Sequence, residues 1–167
     1  MEDLGKRFLL SSARILRDEN LPKIREAVAL LSDQELWQRG GSASNAVGNL
    51  LLHLAGNVRQ HVIAGVGGVP DVRDRPREFA AEGGPGRKDL LDRLTQTVEE
   101  ACAVLEGFDP ALLSEKRMIQ GKEVPLLEDI YRVVEHCSYH TGQVIYAVKA
   151  MKDHRFPWYR HLDPKGN

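Results

Sequence analysis

His136 and His140 stand four residues apart in the most regularly apolar part of the chain. On a helix that spacing puts both imidazoles on one face, one turn apart, the geometry with which two histidines share a metal ion. His140 falls inside the apolar series Cys137, His140, Val144, and His136 borders it. A histidine in a core needs a partner for each ring nitrogen, and one shared ion supplies a partner to both rings. Hydrogen bonds to backbone carbonyls or other polar groups are the alternative. His53, set between Leu50 and Leu54 near the middle of an earlier helical pattern, adds a third imidazole if the two helices face each other. Three neutral nitrogens with one open position are the ligand set of a catalytic divalent site rather than a structural one, and zinc, nickel or iron(II) would accept it.

Polar residues recur on the same faces. Asn49, Asn57 and Gln60 share the face of His53, while Asp129, Arg132 and Gln143 share that of His136. Each would orient an imidazole or a substrate, or else stand as a solvated surface residue. Asn57, Gln60, Arg132 and Gln143 are the pocket candidates, and no catalytic residue is named. His61 either lines the mouth of the same cavity or lies at the surface, and His154 and His161 belong to a tail where exposure is expected. Cys137 fits the core stripe and reads as a buried, inert thiol. Gly65-Val66-Gly67-Gly68 follows a helix and lacks a lysine, so it is not a phosphate loop.

The elements that must position these groups are helical. Leu4, Phe8, Ile15, Leu16, Ile24, Ala27, Val28 and Leu31 predict a first helix near residues 2–34, kinked or broken at Pro22. Ser32-Asp33-Gln34-Glu35 predicts a cap for a short extra turn, or the helix end. A second helix runs from an N-cap at Ser44 or Asn45 to about Ala64, a third spans 88–107 and a fourth 125–152. Residues 116–124 read as a hairpin turning at Gln120-Gly121. The Gly- and Pro-rich stretch after the second helix is far longer than the roughly four to six residues usual for a connection. It permits a crossover. The expected architecture is therefore an all-α four-helix bundle, up-down-down-up, with a long crossover loop between helices 2 and 3 and the tail strapped over it.

Composition narrows the partners. The 167 residues carry 23 Lys and Arg against 24 Asp and Glu, a net charge of −1, and no basic cluster suited to a nucleic acid. The first twenty residues lack the apolar run of a signal peptide, and no window approaches the roughly 18 apolar residues of a membrane span. A single cytoplasmic domain over 1–167 is expected, without nucleic-acid or membrane partners.

Asn49-Leu50-Leu51-Leu52-His53-Leu54-Ala55-Gly56-Asn57-Val58-Arg59-Gln60 and the loop after it resemble the histidine-bearing second helix of the DinB/YfiT-like superfamily. His136-Cys137-Ser138-Tyr139-His140, followed by Gly142-Gln143, is similar to that superfamily's second motif. The resemblance spans essentially the whole chain and points to a subgroup of unknown function. It implies an up-down-down-up bundle, often a homodimer, with a divalent metal on His53, His136 and His140. Relatives include S-transferases using low-molecular-weight thiols and a maleylpyruvate isomerase, and hydrolase activity has been proposed for others. No carboxylate stands in the sequence as an obvious base for hydrolysis, and Glu135 lies off the histidine face. The expectation is thus transfer of a low-molecular-weight thiol to a small-molecule electrophile. A metal-dependent hydrolase, or a non-catalytic ligand-binding bundle with a structural metal, is the alternative.

Overall fold

The computed structural model describes residues 3–159; the tail beyond, with His161, lies outside the described residues. The fold is mostly helical. Helix α1 (Leu4–Arg14) is capped by Asp3, whose Oδ1 accepts the Gly5 and Lys6 backbone N–H groups at 2.9 and 3.2 Å. It passes through a π-helical stretch, Ile15–Asn20, directly into α2 (Leu21–Ala29). Pro22 neither breaks the chain nor ends the helix. Proline has no N–H to return to the preceding turn, and the widened stretch before it absorbs that mismatch, with Leu21 N–H reaching back five residues to Leu16 O.

Ser32 and Glu35 form a reciprocal cap on the single turn α3 (Asp33–Leu36). Helix α4 (Val47–Val58) is capped at Ala46, one or two residues later than the Ser44 or Asn45 expected, and the Ala46 N–H is taken by Asn49 Oδ1 at 3.0 Å. It too widens into a π-helical stretch, Arg59–Val66. The connection 67–86 is not wholly irregular: it contains a short helix, α5 (Arg75–Ala80), capped by Asp74. Helix α6 (Arg87–Gly107) and helix α7 (Leu126–Lys152) match the expected third and fourth helices to within about a residue. A 3-10 turn, Pro110–Ser114, and a two-stranded antiparallel hairpin, β1 (Lys116–Ile119) and β2 (Lys122–Pro125), join them. The hairpin turns at Gln120 and Gly121, both at positive φ (52° and 72°), the type I′ geometry whose twist suits a two-residue connection.

One contiguous apolar core joins the four long helical segments. Leu9, Leu16, Ile24, Leu51, Leu54, Leu90, Leu94, Leu105 and Val144 are within it, each no more than 2 % exposed. Polar ties fix the ends. Arg87 Nη1 donates to Ala29 O and Leu31 O at 2.7 Å, and Arg117 Nη1 caps the end of the second segment at Val66 O, also at 2.7 Å. Among the described residues no helix is long and apolar enough to cross a membrane.

Candidate metal centre

His53 is placed by the apolar run around it. Leu50, Leu51, Leu54 and Ala55 are buried, so α4 is sunk in the core and takes its histidine with it, leaving that residue 4 % exposed. On α7, buried Val133, Cys137 and Val144 set the rotation of the helix, and His136 and His140 emerge half-buried on the edge facing α4. The three rings converge. His53 Nε2 lies 3.2 Å from His136 Nε2, and His136 Nε2 lies 3.0 Å from His140 Nε2. One nitrogen from each ring falls within 4.8 Å of the others, a set that could hold a metal ion.

The proton positions decide what such a triangle can do. His53 Nδ1 sits 3.0 Å from Glu78 Oε2, and a carboxylate only accepts, so Nδ1 carries the hydrogen and Nε2 presents its lone pair. Arg73 Nη2 also approaches that Nδ1, at 3.1 Å, but both are donors; each is directed at Glu78 Oε2, which Arg73 reaches at 2.8 Å. His140 Nδ1 is likewise turned to an acceptor, Gln143 Oε1, at 2.7 Å. Two lone pairs therefore face His136 Nε2, which has at most one hydrogen to give. A divalent ion would satisfy all three nitrogens at once. Zinc–imidazole bonds of about 2.0–2.1 Å at tetrahedral angles put donors roughly 3.3 Å apart, close to the spacing of the two contacts found.

Electrostatics favour neutral rings for the two histidines of α7. Burial, reinforced by His140 and His53, pushes His136 down to about 4. Burial lowers His140 as well, against the pull of Gln143. Neutral imidazole is the form that binds a metal. Burial also works to raise the Glu78 carboxyl, but hydrogen bonds from Arg73 and His53 outweigh it and hold the group below its ordinary range.

Glu78 is itself held from several sides. Arg73 grips it with two parallel bonds, Nε to Oε1 and Nη2 to Oε2, each 2.8 Å, through a side chain only 3 % exposed. Arg73 Nη1 donates to Gln60 Oε1 at 2.8 Å, and Gln60 Nε2 donates to Asp71 Oδ2 at 2.6 Å. Asn49 Nδ2 ties the backbone of the same segment through Glu78 O (3.0 Å) and Ala81 O (2.7 Å). The Phe79 ring packs 4.7 Å from the His53 ring. The connection thus brings α5 against α4 around the outer nitrogen of His53.

The other residues singled out by sequence fall as follows. Gln143 touches His140, and Gln60 acts through Arg73 and Glu78. Asn57 Oδ1 is buried with no hydrogen-bond partner among the described residues, as is His136 Nδ1. Arg132 is exposed and makes no hydrogen bond or ion pair among the described residues. Asp129 does not orient a ligand; it pairs with His61, whose Nδ1 lies 2.9 and 3.0 Å from its two oxygens. Cys137 is 2 % exposed and burial pushes its thiol up to about 12. His154 is exposed beside Phe156. Next to the His140–Gln143 bond lies a cavity of about 470 Å³ lined by Leu50, Tyr139, Gln143 and Tyr146.

Sequence reasoning missed Glu78, Arg73 and Asp71, all on the connection. Two signals pointed there. Asp74 followed by Pro76 is a helix start, and Gly56 inside an apolar helix marks a close approach by something else.

The family model described as protein of unknown function (DUF1572) matches residues 3–162. Among solved structures, the fold is similar to that of a DinB-like protein from Bacillus cereus ATCC 10987. That structure is 14 % identical, with a TM-score of 0.64 over 80 % of this chain and 87 % of that one. No curated protein matches the chain.

Proposed function

The chain belongs to the DUF1572 family, and on that premise we propose a divalent-metal-dependent enzyme that transfers a low-molecular-weight thiol to an electrophile. The observation that carries the reading is the convergence of three Nε2 atoms, two of them with their outer Nδ1 hydrogens engaged by Glu78 and Gln143. His53, His136 and His140 would hold the ion, whether zinc, nickel or iron. With no carboxylate among these ligands, the ion would keep its full double charge and favour the thiolate form of a thiol beside it.

The protein's own groups are consistent with that division of labour. Glu78 orients the His53 ring and Gln143 the His140 ring, and burial favours the neutral form of His136 and His140. The cavity beside Gln143 has room for a small molecule, and its lining of Leu50, Tyr139 and Tyr146 suits an uncharged one. Hydrolysis would call for a base on the Nε2 side of the cluster. The carboxylate that touches a ligand, Glu78, lies on the opposite ring nitrogen and is bound twice by Arg73.

The up-down-down-up order of the segments belongs to the same reading. It is supported by contacts between the start of α6 and the end of α2, and between Lys6 Nζ near the start of α1 and Glu106 O near the end of α6. A homodimer is proposed with it.

The test is metal analysis of freshly purified, untagged protein, followed by thiol consumption with a haloarene or epoxide. A bound divalent metal lost in both His53→Ala and His140→Ala, with metal-dependent turnover of at least one thiol, is expected. Metal content unchanged in both variants would overturn the centre. Metal-dependent hydrolysis without thiol turnover would overturn S-transfer alone.

A further inference from the structure

A second concavity is lined by Glu78 and Arg73 but not by His53. Residues of the connection 67–86, of α4 and of α6 together line a cavity of about 600 Å³, with Gly56 and Leu52 among them. That volume is in the range of small-molecule sites, roughly 300–1,000 Å³. Its lining is strongly charged, and the charges are unevenly satisfied.

Each acid in the wall already has its donors. Glu78 takes Arg73 and His53, Asp71 takes Gln60 Nε2 and the Arg73 backbone N–H, and Asp74 takes the Arg77 backbone N–H. Arg73 is committed to Glu78, and Arg59 to Glu100 at 3.0 Å. Arg77 and Arg93 remain. Both line the cavity and are exposed, and neither guanidinium makes a hydrogen bond or ion pair among the described residues. They come from different elements, α5 and α6, so their presence around one cavity follows from tertiary packing and not from adjacency in sequence.

We propose that this cavity is a binding site for a small organic anion, a carboxylate or a phosphate ester, held by Arg77 and Arg93. A guanidinium stays charged at any physiological pH and presents a planar fork of donors that matches either group in a two-pronged bond. Two such forks lining one cavity, with Glu78 and Asp71 already holding side-chain donors, leave both guanidiniums open to the anion. The site stands apart from the metal reading. It shares one wall with it, because Arg73 and Glu78 line the cavity and also back His53.

Calorimetric titration of the full chain with inorganic phosphate and, separately, with succinate tests the proposal in a buffer free of both. One equivalent is expected to bind, and binding should weaken at least about tenfold in Arg77→Ala/Arg93→Ala, a loss of about 1.4 kcal/mol. Arg93→Gln alone should show a partial loss. Both variants are at exposed positions, so a thermal midpoint and metal content like those of the parent are expected. Binding of phosphate only would assign the site to phosphate esters, and of succinate only to carboxylates. No binding by either up to about 10 mM, or binding unchanged in the double variant, overturns it. Neither result depends on turnover, so failure here leaves the thiol-transfer reading untouched.

Discussion

Gly56 and Glu78 lie so close that a methyl group on Gly56 would overlap Glu78 Oε1. The bare backbone of α4 at that point is what admits the carboxylate to the outer nitrogen of His53, one turn earlier on the same helix. A glycine inside a helix ordinarily costs about 1 kcal/mol relative to alanine. Here the open space is occupied by the Glu78–Arg73 pair.

Gly56→Ala should therefore reverse the usual sign. In an ordinary helix the change stabilises; here overpacking against a buried ion pair is expected to destabilise by about 1–3 kcal/mol. The urea midpoint of the metal-free protein measures it. A midpoint equal to or above that of the parent would show that the loop moves aside without loss.

Glu78→Gln keeps the shape of the side chain and removes its charge. The His53 ring would lose the charged acceptor on its Nδ1, and metal affinity should drop about 10–100-fold, as for other outer partners of ligating histidines. Competition with a chelator of known affinity gives the number. The variant also leaves the buried Arg73 charge without its counter-ion, so its fold should be checked first by circular dichroism.

Acidification should weaken the metal-free fold. His136 titrates at about 4 in the folded protein against an ordinary 6.5, so between these values the unfolded chain binds the proton more readily. Its contribution to stability is complete above about 6.5 and is lost as pH falls toward 4. His140 is also lowered, and Glu78, held below its ordinary value, loses its contribution as pH falls through that lowered value. Urea midpoints should fall steadily from pH 7 to pH 4. His136→Asn should flatten the upper part of that slope, and an unchanged slope would contradict a buried neutral ring.

Cys102 and Cys137 should resist thiol reagents in the native protein. Both are at most 2 % exposed, and burial pushes each thiol up to about 12. Ellman's reagent at pH 8 should find no rapidly reacting thiol until denaturant is added. Fast labelling of either would mean that the core opens locally.

Legibility followed locality. The helices bearing His53, His136 and His140 were readable because each is long and its apolar spacing repeats within the helix itself. The hairpin was readable for a similar reason, since Gln120-Gly121 sets its turn unaided. Pro22 was half-readable: the missing N–H was certain, but whether the chain would kink, stop or widen depended on packing around it, where buried Asn20 is tied to Ser138 of α7 at 3.1 Å. Asp129 shows the opposite outcome. Its spacing suggested a role beside His136, yet its partner is His61 in the π-helical stretch of the neighbouring segment.

The sequence by itself determined which residues form the helices and which of their faces are apolar, because backbone hydrogen bonding and side-chain periodicity act over a few residues. That was enough to separate His53, His136 and His140 from the chain's other histidines. Only the tertiary structure decided what stands behind them. Glu78 lies 25 residues from His53 on a connection with no long apolar face of its own. It is brought there by Arg73, Gln60 and Asn49, and by the space at Gly56. Contacts of that kind are made between separate elements after the chain has closed on itself, so they leave no periodic trace in the order of residues.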